Sequence, residues 1–210
     1  MLYDKDIREP LFDFLEGLYG KIRILEEKRI ARSRSDVTMV VPGAVIGIEI
    51  KSDADTYTRL ASQVADYDRF YDRNIVVVGT SHAHHIEEHV PDYWGIITVE
   101  EVDGSADFYV LRSPGENPNL DPEKKITILW RPELNNILEK NSLPGYKYLS
   151  KKKLQEKILE KVPLETLWNQ TSEELFERDY TKIKEQIDAY RVAKGQKKRR
   201  KNYKYKYKVK

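Results

Sequence analysis

The stretch "IGIEIKSD", residues 46–53, decides how the rest of the chain is interpreted. Side chains alternate along a β-strand, so the three isoleucines fall on one face and Gly47, Glu49 and Lys51 fall on the other. The isoleucine face is typical of a strand packed on a hydrophobic core. The other face carries a glycine, an acid and a base in succession, which points to chemistry as well as to folding.

The segments around this strand predict an α/β domain. The turn Pro42-Gly43 joins the strand to the one before it, which predicts an antiparallel hairpin. The stretch "NIVVVGT" is apolar throughout its centre, as expected of a parallel strand buried on both faces after a helical crossover. The predicted order is helix 4–18, strands 21–30, 36–41 and 44–51, a helix from 57, strand 74–80, and a hairpin formed by "WGIITV" and "ADFYVL".

The chain divides into four predicted regions. The first domain covers 1–112, and a Pro-, Asn- and Gly-rich linker covers 113–130. Helical periodicity predicts an all-helical C-terminal region at 131–195, with helices near 164–180 and 181–193 at its end. A basic flexible tail occupies 196–210.

Charge is divided unevenly along the chain. The 37 Lys and Arg and 35 Asp and Glu residues give a net charge of +2. Residues 197–210 hold nine of the basic residues and no acid, which leaves 28 basic against 35 acidic residues, about −7, on the first 196. Basic tails of this kind often bind nucleic acid, and the alternative is a tail that only keeps the protein in solution.

Composition excludes several classes of protein. Without cysteine there is no disulfide framework, no thiolate zinc site and no cysteine nucleophile. No G-x-S-x-G motif is present, which removes support for an esterase. No apolar run reaches the length of a membrane span and the N-terminus has no signal-peptide pattern, so a cytoplasmic protein with no membrane partner is expected.

Two carboxylates and a lysine converge if the hairpin is correct. Asp36 opens one strand, and Glu49 and Lys51 share a face of the next. Clustered carboxylates repel each other and favour a bound cation, and oxygen-only ligands suit Mg²⁺ or Mn²⁺. The lysine can act on an attacking water and stabilise charge on a phosphate, and Gly47 is expected to leave room for substrate. This set predicts metal-assisted phosphodiester hydrolysis, and the alternative is a solvated surface ion pair.

The order of elements around these residues resembles the core of the PD-(D/E)XK nuclease superfamily. The resemblance implies a restriction-endonuclease-like core, a mixed central sheet flanked by helices. It also implies that Asp36 and Glu49 bind Mg²⁺ or Mn²⁺, with the carbonyl of Ile50 completing the shell, and that Lys51 acts on the attacking water. Ser35 stands where the superfamily name has its proline, a variable position. The pattern "GIEIKSDADT" with the later "VVVGTSHAHH" is similar to a group of small bacterial and phage proteins of that superfamily.

Further site residues follow from the same resemblance. Gln63 and Tyr67 match a Gln-x-x-x-Tyr pair of the exonuclease-type members, and Tyr67 is alternatively a residue of the helical core stripe. An extra acid from the first strand corresponds to Glu27, with Glu26 and Glu9 as rivals.

Several basic residues are candidates for binding nucleic acid. Arg32 and Arg34 either clamp a phosphate or are solvated charges at a strand end. The stretch "LPGYKYLSKKKLQEKILEKV" resembles a SAP-type DNA-binding unit or is an ordinary amphipathic helix with lysines on its exposed face. The residues of this stretch and of the tail expected to bind phosphates are Lys151, Lys152, Lys153, Lys197, Lys198, Arg199, Arg200 and Lys201.

The sequence therefore predicts a Mg²⁺-dependent deoxyribonuclease acting in repair, recombination or defence. The alternative is a catalytically silent DNA-binding or assembly protein that retains the nuclease fold. The histidine-rich stretch "SHAHHIEEH" predicts either a polar helix start or a second metal site. Duplex, single-stranded, branched and RNA substrates, endo- and exonuclease action, and a homodimer all stay open.

Overall fold

The computed structural model describes residues 2–178 together with 189 and 192. Six strands and seven α-helices follow one another in this part of the chain, with short 3-10 turns at Tyr57–Arg59, Ile86–Glu88 and Ile126–Ile128. The strands are β1 (Arg23–Ile30), β2 (Ser33–Val41), β3 (Ala44–Lys51), β4 (Arg73–Gly79), β5 (Gly95–Val102) and β6 (Ser105–Arg112). The helices are α1 (Asp4–Tyr19), α2 (Leu60–Tyr67), α3 (Thr80–Ala83), α4 (Pro122–Lys125), α5 (Arg131–Lys140), α6 (Lys151–Lys161) and α7 (Leu164–Phe176).

The strands form one mixed sheet in the order of the chain. β1, β2 and β3 are antiparallel neighbours, β3, β4 and β5 run parallel, and β6 returns antiparallel to β5. The predicted hairpin is confirmed, with Gly43 at a φ of 79° in its turn, where a side chain would be strained. The α/β class and the parallel crossover are confirmed, and a restriction-endonuclease-like core stays a prediction.

One face of the sheet packs on α1. The helix buries Ile7, Leu11 and Leu15 at the spacing of one helical face. The isoleucines of β3 lie in the same cluster, which confirms that they share a face. Each such side chain contributes about 1.5–3 kcal/mol to stability when fully buried. This packing therefore holds in place the strand whose opposite face carries Glu49 and Lys51.

The other face of β3 packs on α2 and the turn that follows it. A Cβ at Gly47 would lie 2.7 Å from a ring carbon of Tyr67 and closer still to the ring of Tyr71. Gly47 therefore makes room for two tyrosines of the same chain. The prediction that it leaves room for substrate is wrong, because a sequence pattern cannot show which side chain fills the space.

β2 begins earlier than predicted, at Ser33 and not at Asp36. The polar residues before Asp36 have the composition of a loop, but they pair with β1. Ser35 is buried and its hydroxyl bonds the backbone carbonyl of Lys28 at 3.2 Å and the Tyr71 hydroxyl at 2.8 Å. Hydrogen bonding to neighbouring elements thus compensates for low strand propensity.

Residues 113–130, predicted to be a linker, contain α4 and a 3-10 turn and contact the segment that follows α2. The side-chain amide of Asn117 donates to the backbone carbonyls of Asp68 and Tyr71 at 2.6 and 2.7 Å. Lys125 is fully buried. These contacts place the segment within Met1–Phe176, which forms one compact unit.

The helices after residue 130 follow the sequence pattern where they are described. Pro132 lies in the first turn of α5, where a missing N–H costs nothing, and the Ser150 hydroxyl caps α6 by accepting from the backbone N–H of Lys153. The helix predicted at 181–193 and the basic tail lie outside the described residues. Among the helices of the described part, none is both long and apolar enough to cross a membrane.

Candidate active site

The strands β2 and β3 part where their acidic residues lie. Their paired register ends at Val37 and Ile48, one residue short of Asp36 and Glu49. Beyond that point the Asp36 carboxylate reaches across, and its Oδ2 accepts a hydrogen bond from the backbone N–H of Ile50 at 3.0 Å. The side chain thus replaces a strand contact and is held at the opening between the two strands.

Glu49 is buried on the α2 face of the sheet, and three side chains donate hydrogen bonds to its carboxylate. The Lys51 ammonium donates to Oε1 at 2.6 Å, and the side-chain amide of Gln63 donates to the same oxygen. The Tyr67 hydroxyl donates to Oε2 at 2.6 Å. The structure therefore brings together Glu49, Lys51, Gln63 and Tyr67, because α2 presents Gln63 and Tyr67 on one face, one turn apart.

Gln63 contacts both members of the ion pair. Its amide oxygen accepts from the Lys51 ammonium at 3.0 Å, while its amide nitrogen donates to Glu49. The side chain therefore fixes the lysine relative to the carboxylate. Strand β3 alone would not produce this arrangement, because Gln63 comes from α2.

Tyr67 belongs both to the core and to the polar cluster. The side chain is fully buried, and its hydroxyl also accepts from the backbone N–H of Asp36 at 3.2 Å. Burial and the neighbouring carboxylates of Glu49 and Asp36 raise the Tyr67 pKa well above its usual value. The hydroxyl thus stays protonated and ties the Asp36 backbone to the Glu49 carboxylate.

Asp36 places a second carboxylate beside the Glu49–Lys51 pair, and the cation next to it, Arg8, is shared with Asp4 and Glu26. Burial, and next the charge of Glu49, raise the Asp36 pKa to about 7, against the lowering effects of the Ile50 N–H and Arg8. Lys51 is already engaged by Glu49. A second carboxylate without a lysine of its own is the arrangement in which a cation gains most.

Arg8 joins the cluster from α1, and sequence reasoning missed it. Its guanidinium donates to the Asp36 carbonyl at 3.1 Å and to Oδ1 of the Asp36 carboxylate at 3.4 Å. The same group pairs with Asp4 at 2.7 Å and lies 3.7 Å from a carboxylate oxygen of Glu26. The i, i+4 spacing of Asp4 and Arg8 was the available signal, but such pairs are common on helix surfaces.

The structure does not bring Glu27 to the cluster. Glu27 is left out of the β1–β2 pairing at a φ of 51°, and its exposed carboxylate pairs with Arg34 at 3.4 Å. This irregularity leaves Glu26 on the α1 side, near Arg8, and burial raises the Glu26 pKa. Glu9 is exposed, and Arg32 is exposed in the turn between β1 and β2.

The oxygen atoms at the opening that could bind a metal ion belong to the carboxylates of Asp36 and Glu49, and the Ile50 carbonyl follows Glu49 in the chain. Within residues 2–178, 189 and 192, no group of three His, Asp or Glu side chains is placed to hold a metal ion. An ion at Asp36 and Glu49 would thus complete its shell with backbone and water oxygens, which suits Mg²⁺ and Mn²⁺ better than a cage of side chains.

In the described part of the chain, two histidines of the histidine-rich stretch pack on Tyr57, and no group of three side chains there is placed to hold a metal ion. The Tyr57 ring makes tilted contacts with the rings of His82 and His89, with centroid distances of 4.9 and 4.3 Å. The Tyr57 hydroxyl donates to the His82 carbonyl at 3.1 Å. This packing accounts for two of the four histidines by aromatic contact.

The lysines at the start of α6 lie on the surface. The Lys151 ammonium donates to the Thr127 carbonyl at 3.3 Å, and Lys152 lies 3.9 Å from Glu156. Lys153 is exposed. Residues 197–201 of the basic tail lie outside the described residues, so their role stays a prediction.

Comparisons with known proteins place the chain in a family. None of the curated proteins matches it. Among solved structures, that of Pyrococcus furiosus SfsA in complex with Ca²⁺ is 16% identical with a TM-score of 0.30. The match covers 53% of this chain and 61% of that one, and a likeness this weak says nothing of activity. The family model for bacteriophage P4 protein cII matches residues 2–202, nearly the whole length, so the chain belongs to the bacteriophage P4 protein cII family.

Proposed function

We propose that the chain is a divalent-metal-dependent nuclease of the PD-(D/E)XK type that hydrolyses phosphodiester bonds of DNA. The observation that carries the proposal is the opening between β2 and β3, where the Asp36 carboxylate bonds the Ile50 N–H at 3.0 Å beside the buried Glu49–Lys51 pair. Two carboxylates and a lysine at one strand opening are costly to bury, and a metal-assisted reaction gives each of them a role.

Asp36, Glu49 and the Ile50 carbonyl would hold a Mg²⁺ or Mn²⁺ ion. When bound, such an ion polarises a phosphate oxygen and favours deprotonation of a water. The raised Asp36 pKa supports the assignment, because two carboxylates that hinder each other's ionisation gain from a shared cation. A cation that takes Glu49 competes with the Lys51 ammonium, which lies 2.6 Å from the carboxylate.

The remaining residues position the reacting groups. Lys51, once it leaves Glu49, has donors for an attacking water or for the charge that develops on the phosphate. Gln63 contacts both Lys51 and Glu49 and limits how far the lysine moves. Tyr67 holds the second oxygen of Glu49 and the backbone of Asp36, which keeps the two acidic strands in register with each other.

DNA as the substrate is supported by the distribution of charge. The first 196 residues carry about −7, which opposes binding to a polyanion, while residues 197–210 carry nine basic side chains and no acid. Lys152 and Lys153 add exposed cations at the start of α6. Such localised positive charge contributes most of the affinity of a protein for phosphates and makes that affinity depend on salt.

The test is nicking of supercoiled plasmid by the full-length protein in Mg²⁺ or Mn²⁺, with EDTA as the blank. Glu49→Gln keeps the shape of the side chain and removes the charge, and it should abolish metal-dependent nicking. Glu87 is an exposed glutamate outside the cluster, so Glu87→Gln is the matched control and should cut like the wild type. DNA binding without cleavage in any divalent metal would instead support the catalytically silent DNA-binding protein.

A further inference from the structure

A fully exposed tyrosine stands among lysines just before α6. Tyr148 has a relative exposure of 102%, so its ring is covered by no other described side chain. Residues 147–153, "KYLSKKK", hold four lysines and no acid. An aromatic ring left in water on both faces buries no apolar surface, so both of its faces can take a stacking partner.

The loop that carries Tyr148 is fixed at its base. The Arg131 guanidinium donates to the Leu149 carbonyl at 2.7 Å, and the Leu149 N–H donates to the Tyr146 carbonyl at 3.1 Å. α6 itself is held by buried Leu154 and Ile158. The ring is therefore presented by a backbone that is already ordered, which lowers the entropy cost of binding.

The positive charge beside the ring is only partly neutralised within the described residues. Lys147 and Lys153 are exposed and make no ion pair among the residues that the structure describes. Lys152 lies 3.9 Å from Glu156, and both side chains are well exposed, so this pair contributes little. Lys147, Lys152 and Lys153 are thus available for a polyanion.

We infer that Tyr148 with Lys147, Lys152 and Lys153 forms a contact surface for unpaired nucleotides of a nucleic-acid strand. The lysines bind phosphates of the strand, and an unstacked base lies on the Tyr148 ring. A duplex gains less at this surface, because its base faces are covered by their neighbours and only its phosphates are free to bind. The inference rests on the proposed function in taking a nucleic acid as the substrate, and it narrows the substrate to one with a single-stranded segment.

The experiment measures binding of the full-length protein in EDTA by fluorescence anisotropy. The probes are a labelled 12-nucleotide thymidine strand, an abasic strand of equal length and a duplex. Tyr148→Ala should weaken binding of the thymidine strand about tenfold, within the range of base–aromatic stacking, and should leave the abasic strand unchanged. Tyr148→Phe should retain the wild-type affinity. Tyr109→Ala, at another exposed tyrosine (67%) on β6, is the matched control and should also bind normally.

Two results would overturn the inference: unchanged affinity of Tyr148→Ala for the thymidine strand, or an equal loss on the abasic strand. The double variant Lys152→Ala/Lys153→Ala should reduce the salt slope on both strands by about 0.7 for each lost phosphate contact. Because binding is measured without divalent metal, this surface and the nuclease activity fail separately. Plasmid nicking without a Tyr148 effect rejects the surface alone, and a Tyr148 effect without nicking rejects the nuclease alone.

Discussion

Two lysine–carboxylate pairs of this protein, each with a buried lysine, differ in what surrounds them. Lys125 is fully buried, pairs with Asp72 at 2.5 Å and lies 4.1 Å from the centre of the Trp168 ring. The second oxygen of Asp72 accepts from the Val45 N–H at 2.7 Å. This pair has one charge of each sign, and both oxygens of the Asp72 carboxylate accept a hydrogen bond.

The Glu49–Lys51 pair has the same chemistry and a third charge beside it. Asp36 adds a second carboxylate at the opening between β2 and β3, and its pKa is raised to about 7. A buried ion pair alone is therefore no indication of a functional site. The second carboxylate is what favours one here, because Asp36 has only Arg8 at 3.4 Å against it and shares that cation with other acids, so a cation from outside the chain would be stabilised there.

Loss of Lys125 should have the largest effect on stability. Lys125→Ala leaves the Asp72 carboxylate without its counter-ion, so the free energy of unfolding should fall by about 3–5 kcal/mol in urea denaturation. The plasmid-nicking rate per folded molecule should not change. Lys124→Ala, next in the chain and outside the ion pair, is the control, and a loss of stability no larger than that of this control would remove the distinction between the two pairs.

The sequence predicted one of these pairs and missed the other. Glu49 and Lys51 are two residues apart on a strand whose isoleucines mark its apolar face. Because side chains two apart share a face, the sequence predicts that both lie on the polar side. Asp72 and Lys125 are 53 residues apart, and Lys125 lies in a segment with the composition of a linker. Only tertiary packing on Trp168 shows that this segment is part of the core.

The limits at the candidate site have the same origin. The turn and the hairpin of β2 and β3 were predictable from Pro42-Gly43 and the apolar alternation. Arg8 was not, because its contact with Asp36 spans 28 residues and depends on how α1 crosses the sheet. The irregular backbone of Glu27 shifts the alternation of β1 by one residue, and no residue type in the sequence marks it.

Removing the Asp36 charge should change how stability depends on pH. The folded-state pKa of Asp36, about 7, lies above the value of about 3.9 in an unfolded chain. The stability from this group is therefore fully present below about pH 4 and is lost as the pH rises through 7. Asp36→Asn should reduce the loss of stability between pH 5 and 8 by about 2–3 kcal/mol, measured by urea denaturation in EDTA.

Asp107→Asn, at an exposed aspartate of β6, is the control for this measurement and should follow the wild-type pH curve. An Asp36→Asn curve that parallels the wild type would mean that the Asp36 charge is already compensated. The contrast between the two pairs would then disappear.

Loss of Lys51 should slow cleavage without weakening metal binding. Lys51→Ala should bind Mn²⁺ at least as tightly as the wild type, because the Glu49 carboxylate loses the ammonium that competes for it. Cleavage at saturating Mn²⁺ should fall about a hundredfold, the range for loss of one charge-stabilising donor. Calorimetric titration and single-turnover cleavage separate the two effects, and weaker Mn²⁺ binding would assign the lysine to the structure of the site.

The smallest expected effect belongs to Arg8, and its sign is informative. As a nearby cation, Arg8 repels a metal ion, so its removal would tighten Mn²⁺ binding if charge alone mattered. Arg8 also holds the Asp36 backbone and carboxylate at 3.1 and 3.4 Å, and loss of a group that orients a ligand weakens metal binding by about ten- to a hundredfold. We expect orientation to dominate, so that Arg8→Met weakens Mn²⁺ binding about tenfold in calorimetric titration and Arg8→Lys recovers part of it. Arg34→Met, at an arginine paired with Glu27 on the surface, should change nothing. Tighter binding by Arg8→Met would show that the local charge, and not the placement of Asp36 by α1, sets the affinity of the site.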